Sequence, residues 1–131
     1  MSESSNLTVV DILFNAIALT SDAVGIFDPN DEVIFCNYPF SNIFGLADQE
    51  PVGMSFEQLI RNCFLSQTGV KIDSEDIDAW LNMAKSNRRS KSYRSFEIDT
   101  CDNRWFRLTE MIVGDCLFTY GTNITESKNL E

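Results

Sequence analysis

Residues 104–123, RWFRLTEMIVGDCLFTYGTN, contain the pattern that decides the fold class. Two runs rich in aromatic and β-branched residues, 104–113 and 116–123, are separated by Gly114-Asp115, which is the composition of a tight hairpin turn. Upstream, residues 92–100 alternate roughly between apolar and polar side chains, as in a strand. Cys101-Asp102-Asn103 supplies the turn between this run and residues 104–113. The last third of the chain therefore predicts a meander of three antiparallel strands.

Two further runs with strand character lie upstream, AVGIFD at residues 23–28 and EVIFC at residues 32–36. The intervening Pro29-Asn30-Asp31 is turn chemistry, so this pair predicts a hairpin. A hairpin and a three-stranded meander can form one antiparallel sheet. We expect an α+β fold, with a five-stranded antiparallel sheet and helices on one face.

The helices of that face are expected between the hairpin and the meander. Asn37 is suited to cap a short helix with Pro39 in its first turn, and Gly45 would end it. Helical spacing of apolar residues predicts a second helix near residues 55–65. A third helix is expected to begin at Ser74. Its predicted buried face consists of Ile77, Trp80, Leu81 and Ala84.

An N-terminal flanking helix is predicted over residues 7–19, LTVVDILFNAIAL, with Ser5 or Asn6 as its cap. The helix is apolar on two sides, whereas a helix packed on one core shows a single apolar stripe. One face contains Val10, Leu13, Phe14 and Ile17. The second face contains Val9, Ile12, Ala16 and Leu19. Either the helix is sunk deeply into its own domain, or the second face forms the contact of a homodimer.

Composition excludes several classes of function. The chain has 131 residues, enough for one domain, and a net charge of −10, which disfavours nucleic acid and anionic lipid as partners. No apolar run approaches the roughly 20 residues that span a bilayer, and no secretory signal is recognisable. The four cysteines form no CxxC pair, which is typical of free thiols in a cytoplasmic protein. The short basic cluster at residues 88–94 is interpreted as a solvated loop.

The chain contains no histidine. A Ser-His-Asp or Cys-His nucleophile, a phospho-accepting histidine and a His-ligated haem or zinc are all excluded on that ground. The acidic residues at 73–78 lack the EF-hand spacing and its glycine, so they are interpreted as a solvated helix start. We therefore expect no enzymatic activity, no metal site and no cofactor, although an unknown small molecule remains possible.

The order and spacing of these segments resemble the PAS family over residues 21–125. AVGIFDPNDEVIFCN resembles the opening hairpin of that family, YPFSNIFG its first helix and VGMSFEQLI its second helical segment. DNRWFRLTEMIVGDCLFTYGTNIT resembles the closing strands. The family often ends its last strand with Asp-Ile-Thr, and Asn123 replaces the Asp here. Any salt bridge that the family makes through that Asp is therefore in doubt.

The resemblance implies a sensory input domain of a multidomain bacterial signalling protein, such as a diguanylate cyclase with a GGDEF domain or a histidine kinase. Residues 1–20 would be a flanking, dimerising helix, 21–123 the PAS core and 124–131 the start of a helix leading to an output domain. Asn123, Thr125 and Glu126 are the expected signal-transfer residues, with Asn123 and Glu126 spaced as a capping box. A ligand-free dimerisation module of a sensor kinase or another regulator is the alternative.

Small molecules commonly bind PAS relatives between the sheet and the helices. The predicted ligand-binding residues are Tyr93, Phe96, Trp105, Arg107 and Tyr120. Arg107 could pair with a ligand carboxylate. The alternative, favoured here, is that Arg107 faces solvent or pairs with Glu97 or Glu110 across the strands.

Residues 61–67, RNCFLSQ, resemble the Asn-Cys-Arg-Phe-Leu-Gln motif of flavin-binding, light-sensing relatives. The arginine of that motif is missing after Cys63, and Gly53 stands nine residues before Asn62 rather than two. Cys63 is accordingly predicted to be a buried thiol, not a flavin-reactive cysteine.

Overall fold

The computed structural model describes residues 6–46 and 48–131. In chain order the elements are α1 (Val9–Leu19), β1 (Ala23–Phe27), β2 (Val33–Cys36), α2 (Tyr38–Ile43), α3 (Phe56–Ser66), α4 (Ile77–Asn87), β3 (Tyr93–Asp99), β4 (Trp105–Val113), β5 (Cys116–Asn123) and α5 (Thr125–Asn129). All five predicted strands are present within one or two residues of their expected bounds.

The strands form one antiparallel sheet in the order β2-β1-β5-β4-β3. The chain leaves the sheet after β2, forms α2, α3 and α4, and returns as the meander, so that β5 pairs with β1 at the centre. This confirms the α+β prediction. The register places Thr119 of β5 between Gly25 of β1 and Glu110 of β4.

The core lies between one face of the sheet and the helices α2, α3 and α4. Sheet residues such as Phe27, Leu108 and Leu117 belong to the same buried cluster as Phe40 of α2 and Leu59 of α3. The predicted inner face of α4 is also confirmed. Leu81 is buried, and Ile77, Trp80 and Ala84 are partly buried against the cluster.

Side-chain caps set the starts of the helices. The side chain of Asn37 accepts from the amide of Phe40, as predicted, and Ser55 caps α3 in a capping box with Gln58. The predicted start of α4 at Ser74 is wrong, because the Asp76 carboxylate accepts from the Ala79 amide and begins the helix two residues later.

The cap of α1 is Thr8, which forms a capping box with Asp11. This corrects the expected cap at Asn6, and Ser5 lies outside the described residues. No residue of α1 is buried. The helix contacts its own domain through Phe14, whose ring centroid is 5.3 Å from that of Phe35, and through the Ile17 carbonyl. The helix is therefore not sunk into its own domain.

Candidate functional site

A cavity of about 340 Å³ lies between the inner face of the sheet and the helices α3 and α4. This size falls within the usual range for small-molecule sites. Most of the wall is apolar and aromatic. Its residues include Phe27, Phe40, Phe44, Phe56, Ile60, Val70, Trp80, Met83, Ala84, Phe96, Ile98 and Leu108.

One polar region of the cavity wall contains Arg88, Arg94, Glu110 and Thr119. The other polar residues of the wall are Lys71, Asp73, Asn87, Glu97 and Asp99. The Arg88 side chain is only 6% exposed. Its Nε and Nη2 donate to the two carboxylate oxygens of Asp31 at 2.8 and 2.6 Å, and its Nη1 donates to Glu110 Oε2 at 3.1 Å. Both carboxylate contacts are charge-assisted, and the contact to Asp31 is bidentate.

Aromatic rings hold the guanidinium groups in place. The guanidinium carbon of Arg88 lies 3.9 Å from the centroid of Phe56 and 4.5 Å from that of Phe27. Arg94 stacks over Phe96 at 4.2 Å. Such contacts favour a planar cation over an aromatic face. Arg88 therefore connects the end of α4 to β1 and α3 by stacking, and to the β1–β2 turn and the sheet by charge.

Glu110 is buried, with its side chain 5% exposed, and both of its oxygens are used. Oε2 accepts from Arg88, and Oε1 accepts from Nε and Nη2 of Arg94 at 3.1 and 2.9 Å. One carboxylate thus bridges two guanidinium groups, which satisfies the requirement that a buried charge be paired. The interpretation of residues 88–94 as a solvated loop is wrong, because long-range pairing buries Arg88.

Thr119 is the exception in this polar region. The residue is 5% exposed, and its Oγ1 has no hydrogen-bond partner within residues 6–46 and 48–131. Buried hydroxyls are nearly always paired, so an unpaired one requires an explanation. Thr119 lines the cavity directly opposite Glu110 in the strand register.

The structure separates the five predicted ligand-binding residues. Phe96 lines the cavity. Tyr93, Trp105, Arg107 and Tyr120 do not line it, because side chains alternate along a strand and these four project from the opposite face. The prediction of these four as residues of the cavity is corrected accordingly.

Contacts on the outer face account for these positions. Arg107 pairs with Glu97 at 3.2 Å, which is the alternative that the sequence favoured. The Tyr120 hydroxyl donates to the Asp22 carboxylate, and this hydrogen bond raises the pKa of Tyr120. Tyr93 is exposed.

Sequence reasoning did not place Arg88, Glu110 and Thr119 in the cavity wall. A signal for Glu110 existed, since it shares the strand phase of Phe106 and Leu108 and so falls on the apolar side of β4. The pairing of Arg88 with Asp31 joins residues 57 positions apart, and spacing in the sequence contains no sign of it.

Cys63 is buried, as predicted, and its Sγ donates to the Phe44 carbonyl at 3.3 Å. Burial raises the pKa of the Cys63 thiol to about 11, so the thiol is protonated at neutral pH. It is not among the residues that line the cavity. A protonated thiol outside the cavity is unsuited to form a covalent adduct with a molecule bound there.

The C-terminal helix α5 is hydrogen-bonded to the first residue of β4, Trp105. The Thr125 hydroxyl accepts from the Trp105 amide at 2.9 Å and donates to Asn123 Oδ1 at 2.6 Å. Asn123 also accepts from the Thr125 amide at 2.9 Å. The predicted capping box between Asn123 and Glu126 is wrong, because Ile124 occupies the cap position without a side-chain hydrogen bond and Asn123 instead forms a local turn.

A second attachment of α5 is ionic. Lys128 donates to Glu97 at 3.0 Å, and its ammonium group lies 4.6 Å from the centroid of Trp105. Hydrogen bonds from Lys128 and Arg107 hold the pKa of Glu97 below its usual value, and the Glu97 carboxylate raises the pKa of Lys128. These groups connect the start of the C-terminal helix to β3 and β4.

Within residues 6–46 and 48–131, none of the helices has the length and hydrophobicity needed to cross a membrane. No group of three or more cysteine, aspartate or glutamate side chains there is positioned to hold a metal ion.

The sequence profile of the PAS fold family matches residues 17–131. The PAS domain of the Cronobacter turicensis quorum-sensing receptor RpfR, solved in complex with BDSF, is 21% identical, with a TM-score of 0.52 over 82% of this chain and 98% of that chain. The PAS domain of Bordetella pertussis BvgS is 14% identical, with a TM-score of 0.61 over 92% of this chain and 90% of that chain.

A phage VqmA protein in complex with DPO is 16% identical, with a TM-score of 0.59 over 92% of this chain and 55% of that chain. The search of curated protein sequences gave no match. At these identities the solved structures establish the fold alone.

Proposed function

We propose that this chain, which belongs to the PAS fold family, is a sensory input domain that binds a small molecule between its sheet and its helices and passes the signal to an output domain. The observation that carries the proposal is the cavity of about 340 Å³, which has aromatic walls and one polar region. An apolar pocket with a few convergent polar groups is the usual form of a ligand site. The RpfR PAS domain was solved in complex with BDSF and the phage VqmA in complex with DPO, which supports the proposal that this fold binds a ligand here.

The proposed signal path leads from the cavity to α5 through β3 and β4, whose inner faces line the cavity and whose outer faces hold α5. β3 and β4 supply Phe96 and Glu110 to the cavity and Glu97 and Trp105 to the attachment of α5. A ligand that binds one arrangement of these strands more tightly shifts the population toward it, and α5 follows. Asn123, Thr125 and Glu126 remain the proposed signal-transfer residues. A bacterial diguanylate cyclase or histidine kinase remains the proposed output, with the catalysis there.

The test is a titration of the isotope-labelled chain with a set of small apolar fragments, followed by NMR. Amide shifts are expected at the cavity residues and also in Thr125–Asn129. Ala84→Leu narrows the cavity and should abolish the shifts. Ala79→Leu is the matched control, since Ala79 lies on the same helix but is exposed. Equal binding by both variants, or no binding by the original chain, would refute the proposal.

A second function, homodimerisation, is favoured by the exposed apolar surface of α1. Phe14 and Ile17 contact the helix's own domain. Val9, Ile12 and Leu19 are 71%, 53% and 84% exposed, and Ala16 is also exposed. We propose that these four residues pack against the same face of a second copy, because an exposed apolar strip of this kind marks an interface. The proposed setting is the cytoplasm, where the four free cysteines would stay reduced.

A pair of alanines on α1 offers a matched test of the dimer. Ala16 and Ala18 are both exposed and lie about 200° apart around the helix, so only Ala16 belongs to the proposed interface. Ala16→Glu should shift the chain from dimer to monomer in light scattering, whereas Ala18→Glu should leave the mass unchanged. An identical mass for the two variants would contradict this interface.

A further inference from the structure

In the polar region of the cavity, the buried charges are already paired without a ligand. Arg88 pairs with Asp31 and Glu110, and Arg94 pairs with Glu110, while Arg89 lies 3.9 Å from Asp31. The charged residues that line the whole cavity are three cations and four carboxylates: Lys71, Arg88 and Arg94, and Asp73, Glu97, Asp99 and Glu110. Three Arg88 nitrogens donate to carboxylate oxygens, and both Glu110 oxygens accept from arginine. The charges therefore satisfy one another, and an anion that entered would add a negative charge beside buried Glu110. A charge without a partner is costly in a desolvated site.

One polar group in the same region is left over. Thr119 lines the cavity, and its Oγ1 is buried and has no hydrogen-bond partner among the described residues. A threonine hydroxyl supplies one donor and two acceptor positions. It is neutral, so it can pair with an uncharged polar group and leave the ionic network unchanged. The aromatic wall accepts the rest of such a molecule by apolar contact.

We propose that the cavity takes an uncharged, mainly apolar molecule with one hydroxyl, carbonyl or amide group, and that the Thr119 hydroxyl is the hydrogen-bond partner of that group. This assignment rests on the proposed function, since it names the class of ligand for the same cavity. It also predicts discrimination against the corresponding carboxylate, because only the carboxylate conflicts with Glu110.

The test compares octanol with octanoate at neutral pH, by calorimetry on the full chain, with NMR to place the bound molecule in the cavity. Octanol should bind at least about tenfold more tightly than octanoate. Thr119→Val, which removes the hydroxyl and keeps the branched shape, should weaken octanol binding by about tenfold, as expected for one buried hydrogen bond. Thr109→Val is the matched control, since Thr109 lies on the neighbouring strand but projects from the outer face.

A second measurement needs no ligand. Thr119→Val should raise the melting temperature of the ligand-free chain, because an unpaired buried hydroxyl is replaced by a methyl group. Thr109→Val should not, since its hydroxyl is within 3.5 Å of Ser95 Oγ. A lower melting temperature for Thr119→Val would mean that the hydroxyl already has a partner, such as an ordered water, and would overturn the assignment.

The other outcomes separate this inference from the proposed function. Octanoate binding as tightly as octanol would overturn the uncharged class. Octanol binding that Thr119→Val leaves unchanged would overturn the role of Thr119. In both cases the cavity would still bind a small molecule, and the proposed function would stand. If neither compound binds, the inference fails, while the fragment titration with Ala84→Leu decides the proposed function independently.

Discussion

Removal of the buried guanidinium group of Arg88 should lower the stability of the domain with little change in side-chain volume. Arg88→Met keeps an unbranched chain that can still pack on Phe27 and Phe56, but it removes the guanidinium group. Glu110 then keeps only Arg94, and Asp31 loses its bidentate partner. The variant therefore isolates the polar contribution of Arg88 from most of its packing.

The magnitude follows from burial. Removing one partner of a buried ion pair costs about 3–5 kcal/mol. Asp31 is 28% exposed at its side chain and Glu110 retains Arg94, so the lower end applies, about 3 kcal/mol. For a chain of this size that corresponds to a fall in melting temperature of about 10–15 °C. Urea unfolding followed by circular dichroism measures the free energy directly.

Arg61→Met is the matched control. Arg61 also contacts two carboxylates, Glu57 and Asp78, at 3.1 and 2.6 Å, but its side chain is 40% exposed. Exposed pairs contribute about 0–1 kcal/mol, so this variant should change stability little. If Arg88→Met costs no more than Arg61→Met, burial does not strengthen the network, and the reasoning from burial is refuted.

Three further results are expected. Gly25→Ala should cost about 1–3 kcal/mol of stability, because a Cβ there would stand 2.3 Å from the Phe40 ring; a cost near zero in urea unfolding would mean that the ring moves aside freely. Hydrogen bonds from Lys128 and Arg107 lower the pKa of Glu97 from 4.5 in the folded chain. The contribution of the Glu97 carboxylate to the docking of α5 is therefore fully present above pH 4.5, and it is lost as the pH falls through the lowered pKa. Tryptophan fluorescence should record this transition, and Glu97→Gln, which removes the titrating carboxylate and leaves Lys128 paired only with Glu131, should abolish it; a transition that persists would assign it to another group. Cys63 should react with a thiol reagent at neutral pH only after denaturant is added, because burial raises the pKa of its thiol to about 11. Rapid labelling of the native chain that disappears in the Cys63→Ser variant would contradict this prediction.

Local chemistry in the sequence was sufficient for the elements of the fold. Turn residues at 29–31 and 114–115 separated the strands, the Asn37 side chain capped α2 as predicted, and the spacing of apolar residues located α3 near residues 55–65. These interactions join residues a few positions apart, so the sequence pattern contains both partners. Local reasoning failed at the start of α4, where Asp76 rather than the predicted Ser74 begins the helix.

The orientation of the strands was harder to predict because both faces of the sheet contain large apolar residues. On the outer face α1 packs near Phe35, Lys128 of α5 lies against Trp105, and Tyr120 contacts Asp22, while charged Glu110 projects inward. This arrangement weakens the polar–apolar alternation that normally distinguishes the two faces. It explains why Phe96 was the single predicted ligand residue that lines the cavity.

The sequence by itself determined the class of the fold, the order of its elements, the absence of histidine chemistry and the apolar surface of α1. Only the tertiary structure decided that Arg88 is buried between Asp31 and Glu110, and that the Thr119 hydroxyl beside them has no partner among the described residues. The reason is physical. Strand and helix signals arise from neighbouring residues, whereas the cavity brings together side chains from the β1–β2 turn, the end of α4 and the strands β3, β4 and β5, and their pairing depends on how the chain folds back on itself.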